Sequence, residues 1–206
     1  MKAPDRPWIL VTSELRAVQP TPTLVEMPHA VAPVAEEFPH IVAVRAYGST
    51  ARSATAAGGY LTLPVHRSPV WVPLDFLVSV GRLWRYGRAA SAVWVMWPGV
   101  LAMASSIALS FTRTPVVLNV VGDPYEATQK GVTDHPMRVP ARLLHRLSGR
   151  LLARRARVIR YVNTTPLMQR CPPGKQAQMF VLSDVDVATV QHGVTRAGHE
   201  DRGVLP

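Results

Sequence analysis

Residues 114–129 read TPVVLNVVGDPYEATQ, and this apolar run closed by a polar turn is the strongest constraint on the fold. Val116, Val117, Leu118, Val120 and Val121 leave only Asn119 to interrupt it. A strand with one solvated face would need a polar residue at every second position. This run lacks that alternation and suits a strand buried on both faces. Gly122-Asp123-Pro124 then supplies the residue types that turn a chain. Similar runs recur at 8–12 (WILVT), 41–46 (IVAVRA), 92–97 (AVWVMW), 157–162 (RVIRYV) and 178–182 (QMFVL). YLTLPV at 60–65 is a shorter one, and its Pro64 predicts an edge or terminal strand.

Helical patterns separate these runs, at 73–90, 100–110, 136–156 and briefly 167–170. A further segment, interrupted by Pro28 and Pro33, suits a kinked helix or one starting near Pro28. Strands buried on both faces and alternating with helices predict an α/β fold: a doubly wound, mostly parallel, Rossmann-like sheet of about seven strands. The domain spans 1–187. Residues 188–206 are polar and Gly-containing without an apolar period, which predicts a mobile tail or linker.

Residues 89–111 carry no charge over a length that could span a bilayer. Pro98-Gly99 divides the stretch, and its second half is rich in Ala and Ser. A buried strand, a turn and a buried helix are expected there, with a membrane span as the alternative. The amino terminus has too short an apolar run for a secretory signal. One cysteine, Cys171, precludes an intrachain disulfide and fits a reducing compartment.

The chain has 23 Lys and Arg against 13 Asp and Glu, a formal charge of +10, and only Lys2, Lys130 and Lys175 are lysines. An Arg-biased basic surface suits anionic groups. Arg138, Arg142, Arg146, Arg150 and Arg154 recur at every fourth position, with no acid between Arg138 and Arg160. Leu143, Leu144, Leu147, Leu151 and Leu152 are expected to form the opposing, sheet-facing side. Arginines at this spacing repel one another and gain no pairing. An anionic membrane surface is therefore one candidate partner for the stripe, and a solvated helix face is the alternative. Aromatic residues do not interleave with the arginines, which argues against nucleic acid.

Several chemistries lack their motif. The place after the first strand reads SELRAV, and no glycine precedes Gly48, so a dinucleotide fingerprint is missing. There is no Walker lysine and no Gly-x-Ser-x-Gly elbow. The histidines at 29, 40, 66, 135, 145, 192 and 199 show no zinc-ligand spacing. His66 and His135 stand at the presumed ligand edge. In an open parallel sheet that edge lies beyond the carboxyl ends of the strands. Asp123, Tyr125 and Glu126 fall there, either as a site or as a turn and helix cap.

The segments VVLNVVGDPYEATQKGVTDHPMR, RLLARRARVIRYVNTTPLMQRCPPG and VLSDVDV, in this order, resemble the amino-terminal domain of family-4-like glycosyltransferases of the GT-B fold. The resemblance covers about 115–187 and is only architectural before that. It implies transfer of a sugar from a nucleotide-sugar to a glycan or lipid-linked acceptor, with retention and without a metal or other cofactor. It implies the acceptor-binding half of a two-domain enzyme, working at the cytoplasmic face of a membrane. The donor-binding domain, with its paired glutamates, would follow residue 187, and the 206 residues do not include it. On this resemblance Asp123 and Glu126 are candidates to bind or deprotonate acceptor hydroxyls. Tyr125 would stack on a sugar. Ser13, Glu14, Trp97, Gly122, Asn163, Thr164, Ser183 and Asp184 would complete an acceptor surface, with turn and cap roles as the alternative. SELRAVQPTPT replaces the glycine-containing loop that often follows the first strand in that family. A non-catalytic membrane-docking or interaction domain and an unrelated Rossmann-like binder are the other readings.

Overall fold

The computed structural model describes residues 8–17, 38–47, 60–65, 69–127, 138–162 and 165–181. Seven strands form one sheet: β1 (Ile9–Ala17), β2 (His40–Tyr47), β3 (Tyr60–Val65), β4 (Ala92–Trp97), β5 (Val116–Val120), β6 (Ala156–Tyr161) and β7 (Gln178–Val181). Their order is β3-β2-β1-β4-β5-β6-β7, and every pair is parallel. The chain winds outward from β1 to β3, then returns beside β1 and winds the other way. This is the doubly wound α/β arrangement, with its topological switch between β1 and β4. Pro64 lies on the edge strand β3, where a missing backbone donor costs least.

The helices are α1 (Val72–Gly87), α2 (Val100–Ser110), the single turn α3 (Pro124–Ala127), α4 (Arg138–Arg155) and α5 (Thr165–Arg170). The strand, turn and helix expected within 89–111 are β4, Pro98-Gly99 and α2. Among the described residues no helix is long and apolar enough to cross a membrane. The expected kinked helix near Pro28, the connection at 49–59, His66, His135 and the tail at 188–206 lie outside the described residues.

Strand alternation divides the core. Val93, Val95 and Trp97 of β4, and Val116, Leu118 and Val120 of β5, join Leu83, Leu101, Leu109 and Leu152 from the helices in one buried cluster. Trp94 and Met96 belong to a smaller cluster with Val11 and Val42 on the other face. Asn119, the interruption in the β5 run, is fully buried, and its Oδ1 accepts from Arg160 Nη1 at 3.4 Å.

Helix packing departs from the sequence expectation. Leu143, Leu144, Leu147 and Leu151 are exposed; only Leu152 of the five leucines is buried. The docked side of α4 is Ser148, Gly149, Leu152 and Ala153. On α1, likewise, Asp75, Ser79, Leu83 and Gly87 are buried, whereas Leu74, Leu77 and Trp84 are exposed. Close approach explains this. A Cβ on Gly149 would lie 2.9 Å from two carbons of the Trp97 indole, and one on Gly87 would lie 2.9 Å from Leu109. At Gly149 and Gly87 the helices sit too near their neighbours for any side chain beyond hydrogen, while Leu152 and Leu83 fill the wider parts of the same contacts.

Gly149→Ala should destabilise the protein by roughly 1–3 kcal/mol, because the rigid indole cannot yield to the added methyl. Gly81→Ala, where nothing lies within 4 Å, should instead stabilise α1 by about 0.5–1 kcal/mol. Thermal melting of the two variants checks the opposite signs.

Candidate functional site

The carboxyl edge of the sheet opens where β1 parts from β4. β1 pairs with β4 only from Ile9 to Thr12, yet stays with β2 to Ala17 after a register shift between Thr12 and Arg16. Ser13 and Glu14 thus lie within β1, at this divergence, and not in a loop after a strand ending at Thr12. A continuing β2 partner overrides the local turn signal of Ser-Glu. Across the opening, Pro98-Gly99 leads from β4 into α2, whose N-cap Gly99 provides no side-chain hydrogen bond.

The turn after β5 carries a connected polar assembly at this edge. Asp123 Oδ1 accepts the backbone N–H of Tyr125 at 2.8 Å, which caps the short turn α3. Its Oδ2 forms an ion pair with Arg170, and the Asp123 side chain is 5% exposed. Arg170 also lies over the Tyr125 ring, 4.5 Å from its centroid, and Arg142 lies over the same ring at 5.2 Å. Each such contact contributes about 0.5–2 kcal/mol, more as water is excluded. The turn is therefore held to both α4 and α5.

These contacts sort the candidate residues. Both oxygens of Asp123 are engaged within the fold, which is the turn-and-cap role. Tyr125 offers its ring to two guanidinium groups of the chain itself. Glu126 is exposed on α3, and is the carboxylate of the turn that faces solvent. Gly122 packs against Pro98, and an added Cβ there would meet only ordinary contacts at 3.6 and 3.9 Å.

Trp97 requires a correction. It is 2% exposed, and its Nε1 donates to His145 O at 3.2 Å and Ser148 Oγ at 3.3 Å. The last residue of β4 falls on the same side as Val93 and Val95, so the indole enters the core and does not line the carboxyl edge. Asn163, Thr164, Ser183 and Asp184 lie outside the described residues, immediately after β6 and just after β7.

The arginine stripe also differs from a single face. Steps of four residues advance about 40° around a helix of 3.6 residues per turn, so five such residues wind across it. Arg138 and Arg142 are half-buried, whereas Arg146, Arg150 and Arg154 are exposed beside the exposed leucines. Arg170, the partner of Asp123, carried no signal beyond its place in the QRCPPG segment.

Beneath the edge, Tyr161 Oη donates to Cys171 O at 2.6 Å, and Cys171 Sγ donates to Gly149 O at 3.2 Å. Burial pushes the Cys171 thiol up to about 12 from 9.0, opposed in part by Arg150. Burial also raises Tyr161, with Cys171 adding to the shift. Both groups are protonated at neutral pH, and Cys171 is a poor nucleophile there. Among the described residues no three His, Cys, Asp or Glu gather as a metal site.

A scan against models of known protein families gives no match, and a comparison with curated protein sequences gives none.

Two outcomes follow from this geometry. Asp123→Asn should cost roughly 1–3 kcal/mol of stability, as a charged hydrogen bond is lost from a buried carboxylate; denaturant titration measures it. Because the folded Cys171 and Tyr161 titrate above their unfolded counterparts, their contribution is complete below about pH 9. It falls as pH rises from 9 towards 12. Urea midpoints at pH 8 and pH 11 should differ accordingly, and Cys171→Ala should reduce the difference.

Proposed function

We propose that this chain is the acceptor-binding half of a glycosyltransferase that moves a sugar from a nucleotide-sugar to a glycan or lipid-linked acceptor. The observation that supports it most is the turn after β5. The Gly-Asp-Pro-Tyr-Glu segment, with the QRCPPG segment that supplies Arg170, belongs to the family resemblance. In the fold the two segments meet at the carboxyl edge of a parallel sheet. Ligands of such sheets bind at that edge. In this reading Asp123 and Arg170 shape the turn, and Glu126 is the carboxylate that meets acceptor hydroxyls. Tyr125, stiffened by Arg142 and Arg170, forms the wall beside it. Transfer itself requires a donor-binding domain across the cleft. The chemistry asks for no metal or other cofactor, only the nucleotide-sugar as co-substrate.

A specific observation favours a second reading, a non-catalytic docking domain. Val139, Leu143, Leu147 and Leu151 are exposed on α4 next to Arg146, Arg150 and Arg154. An apolar strip flanked by arginines suits an anionic lipid surface, where each basic residue contributes about 1 kcal/mol. The two readings are compatible if the acceptor is lipid-linked, with the protein peripheral at the inner face of a membrane.

Binding to an array of oligosaccharides and polyprenyl-phosphate-linked sugars tests the first reading. The chain should retain at least one acceptor class, and Glu126→Gln should weaken it about tenfold with unchanged melting. Absence of binding to every arrayed acceptor would contradict it. Co-sedimentation with anionic and neutral vesicles tests the second: Leu147→Asp should abolish an anionic preference that high salt also weakens. Equal binding to neutral vesicles would exclude this docking mode.

A further inference from the structure

The amino-terminal edge of the sheet, opposite the crevice, holds a cavity of about 500 Å3. Arg113 reaches it from the connection between α2 and β5, Arg154 and Arg155 from the end of α4, Arg157 from β6 and Lys175 from the segment before β7. Five cationic residues line this bowl, and among the described residues no acidic one does. The sequence has no Asp or Glu between Asp134 and Asp184.

Helix electrostatics accounts for only part of this charge. α2 and α4 both end here, and each carboxyl terminus carries about half a negative charge. Arg155 answers that of α2: its Nη1 and Nη2 donate to Ser110 O at 3.2 Å and Thr112 O at 2.5 Å. Arg113, Arg154, Arg157 and Lys175 are exposed and form no ion pair with an acid among the described residues. Four positive charges thus share one concavity without compensation. A space of this volume is on the order of 10 Å across, close to the Debye length of about 8 Å at physiological salt. Their mutual repulsion is therefore incompletely screened.

Backbone geometry holds the bowl in shape. Gly174 N–H donates to Ala153 O at 3.2 Å. A Cβ on Gly174 would lie 2.9 Å from that same oxygen and 3.1 Å from Arg154 O. Only glycine lets the segment close over the end of α4, and Lys175, the next residue, joins Arg154 and Arg157 in lining the bowl.

We propose that the bowl binds a multiply charged phosphate group, either on a soluble oligophosphate or on a lipid headgroup. Arginine forks suit phosphate oxygens through paired hydrogen bonds, and a multivalent anion relieves the repulsion among the four free cations. The site lies at the opposite edge from the crevice and does not depend on the transferase reading.

Calorimetric titration with sodium tripolyphosphate and co-sedimentation with phosphatidic-acid vesicles test it together. The triple variant Arg113→Gln, Arg157→Gln, Lys175→Gln should weaken at least one of these interactions by tenfold or more. The triple variant Arg82→Gln, Arg85→Gln, Arg88→Gln removes equal charge from α1, away from both the bowl and the α4 strip, and should change it by less than twofold. All substituted residues are exposed, and unchanged melting confirms intact folds. Loss of tripolyphosphate binding assigns a soluble ligand; loss confined to vesicles assigns a headgroup. Absence of binding to both probes, or equal weakening by both triple variants, overturns the proposal.

Discussion

The Trp97 indole lies against Gly149 with its N–H directed to His145 O and Ser148 Oγ, and much of the molecule depends on this contact. A large, flat ring ends β4 and needs both an apolar bed and a hydrogen-bond acceptor. α4 supplies the two within one helical turn: a glycine under the ring, and a serine and a backbone carbonyl at its edge. The Gly149 carbonyl then accepts from Cys171, whose own carbonyl accepts from Tyr161. One chain of contacts thus ties β4, α4, β6 and the end of α5 together.

That close approach has an outward consequence. A helix docked by Ser148, Gly149, Leu152 and Ala153 has spent its small residues on the contact and carries Leu143, Leu144, Leu147 and Leu151 outward. The leucines recur at helical spacing, and spacing alone cannot tell an inward strip from an outward one. Large apolar residues usually face the core. Here the partner is a tryptophan that fills the space leucine would take, and Trp97 is distant in sequence. The seven strands were legible because each run carries its own apolar signal, most of them bounded by Gly, Pro or a polar turn. The edge position of β3 was legible from Pro64. The end of β1 was not, because the strand continues past an irregularity at 13–15 and pairs again with β2 at Arg16 and Ala17.

At the carboxyl edge the sequence placed Asp123, Tyr125 and Glu126 together, but their roles depend on tertiary partners. Arg170 takes one oxygen of Asp123 while the turn takes the other, leaving Glu126 as the exposed carboxylate. Arg142 belongs to the same i, i+4 series as Arg154, yet the helix turns one towards Tyr125 and the other towards the opposite edge. A basic series that reads as a single stripe thereby serves three environments: an aromatic wall, a leucine-flanked outer face and a cationic bowl.

Thiol accessibility along α4 measures the docking geometry most directly. Leu143→Cys, Leu147→Cys and Leu151→Cys should react with a soluble maleimide at nearly the rate of a free thiol in dilute protein. Ser148→Cys and Ala153→Cys should react only as the protein opens, with buried Cys171 as an internal unreactive reference. The reverse pattern, fast labelling at 148 and 153 with protection at 143, 147 and 151, would contradict the small-residue docking of α4.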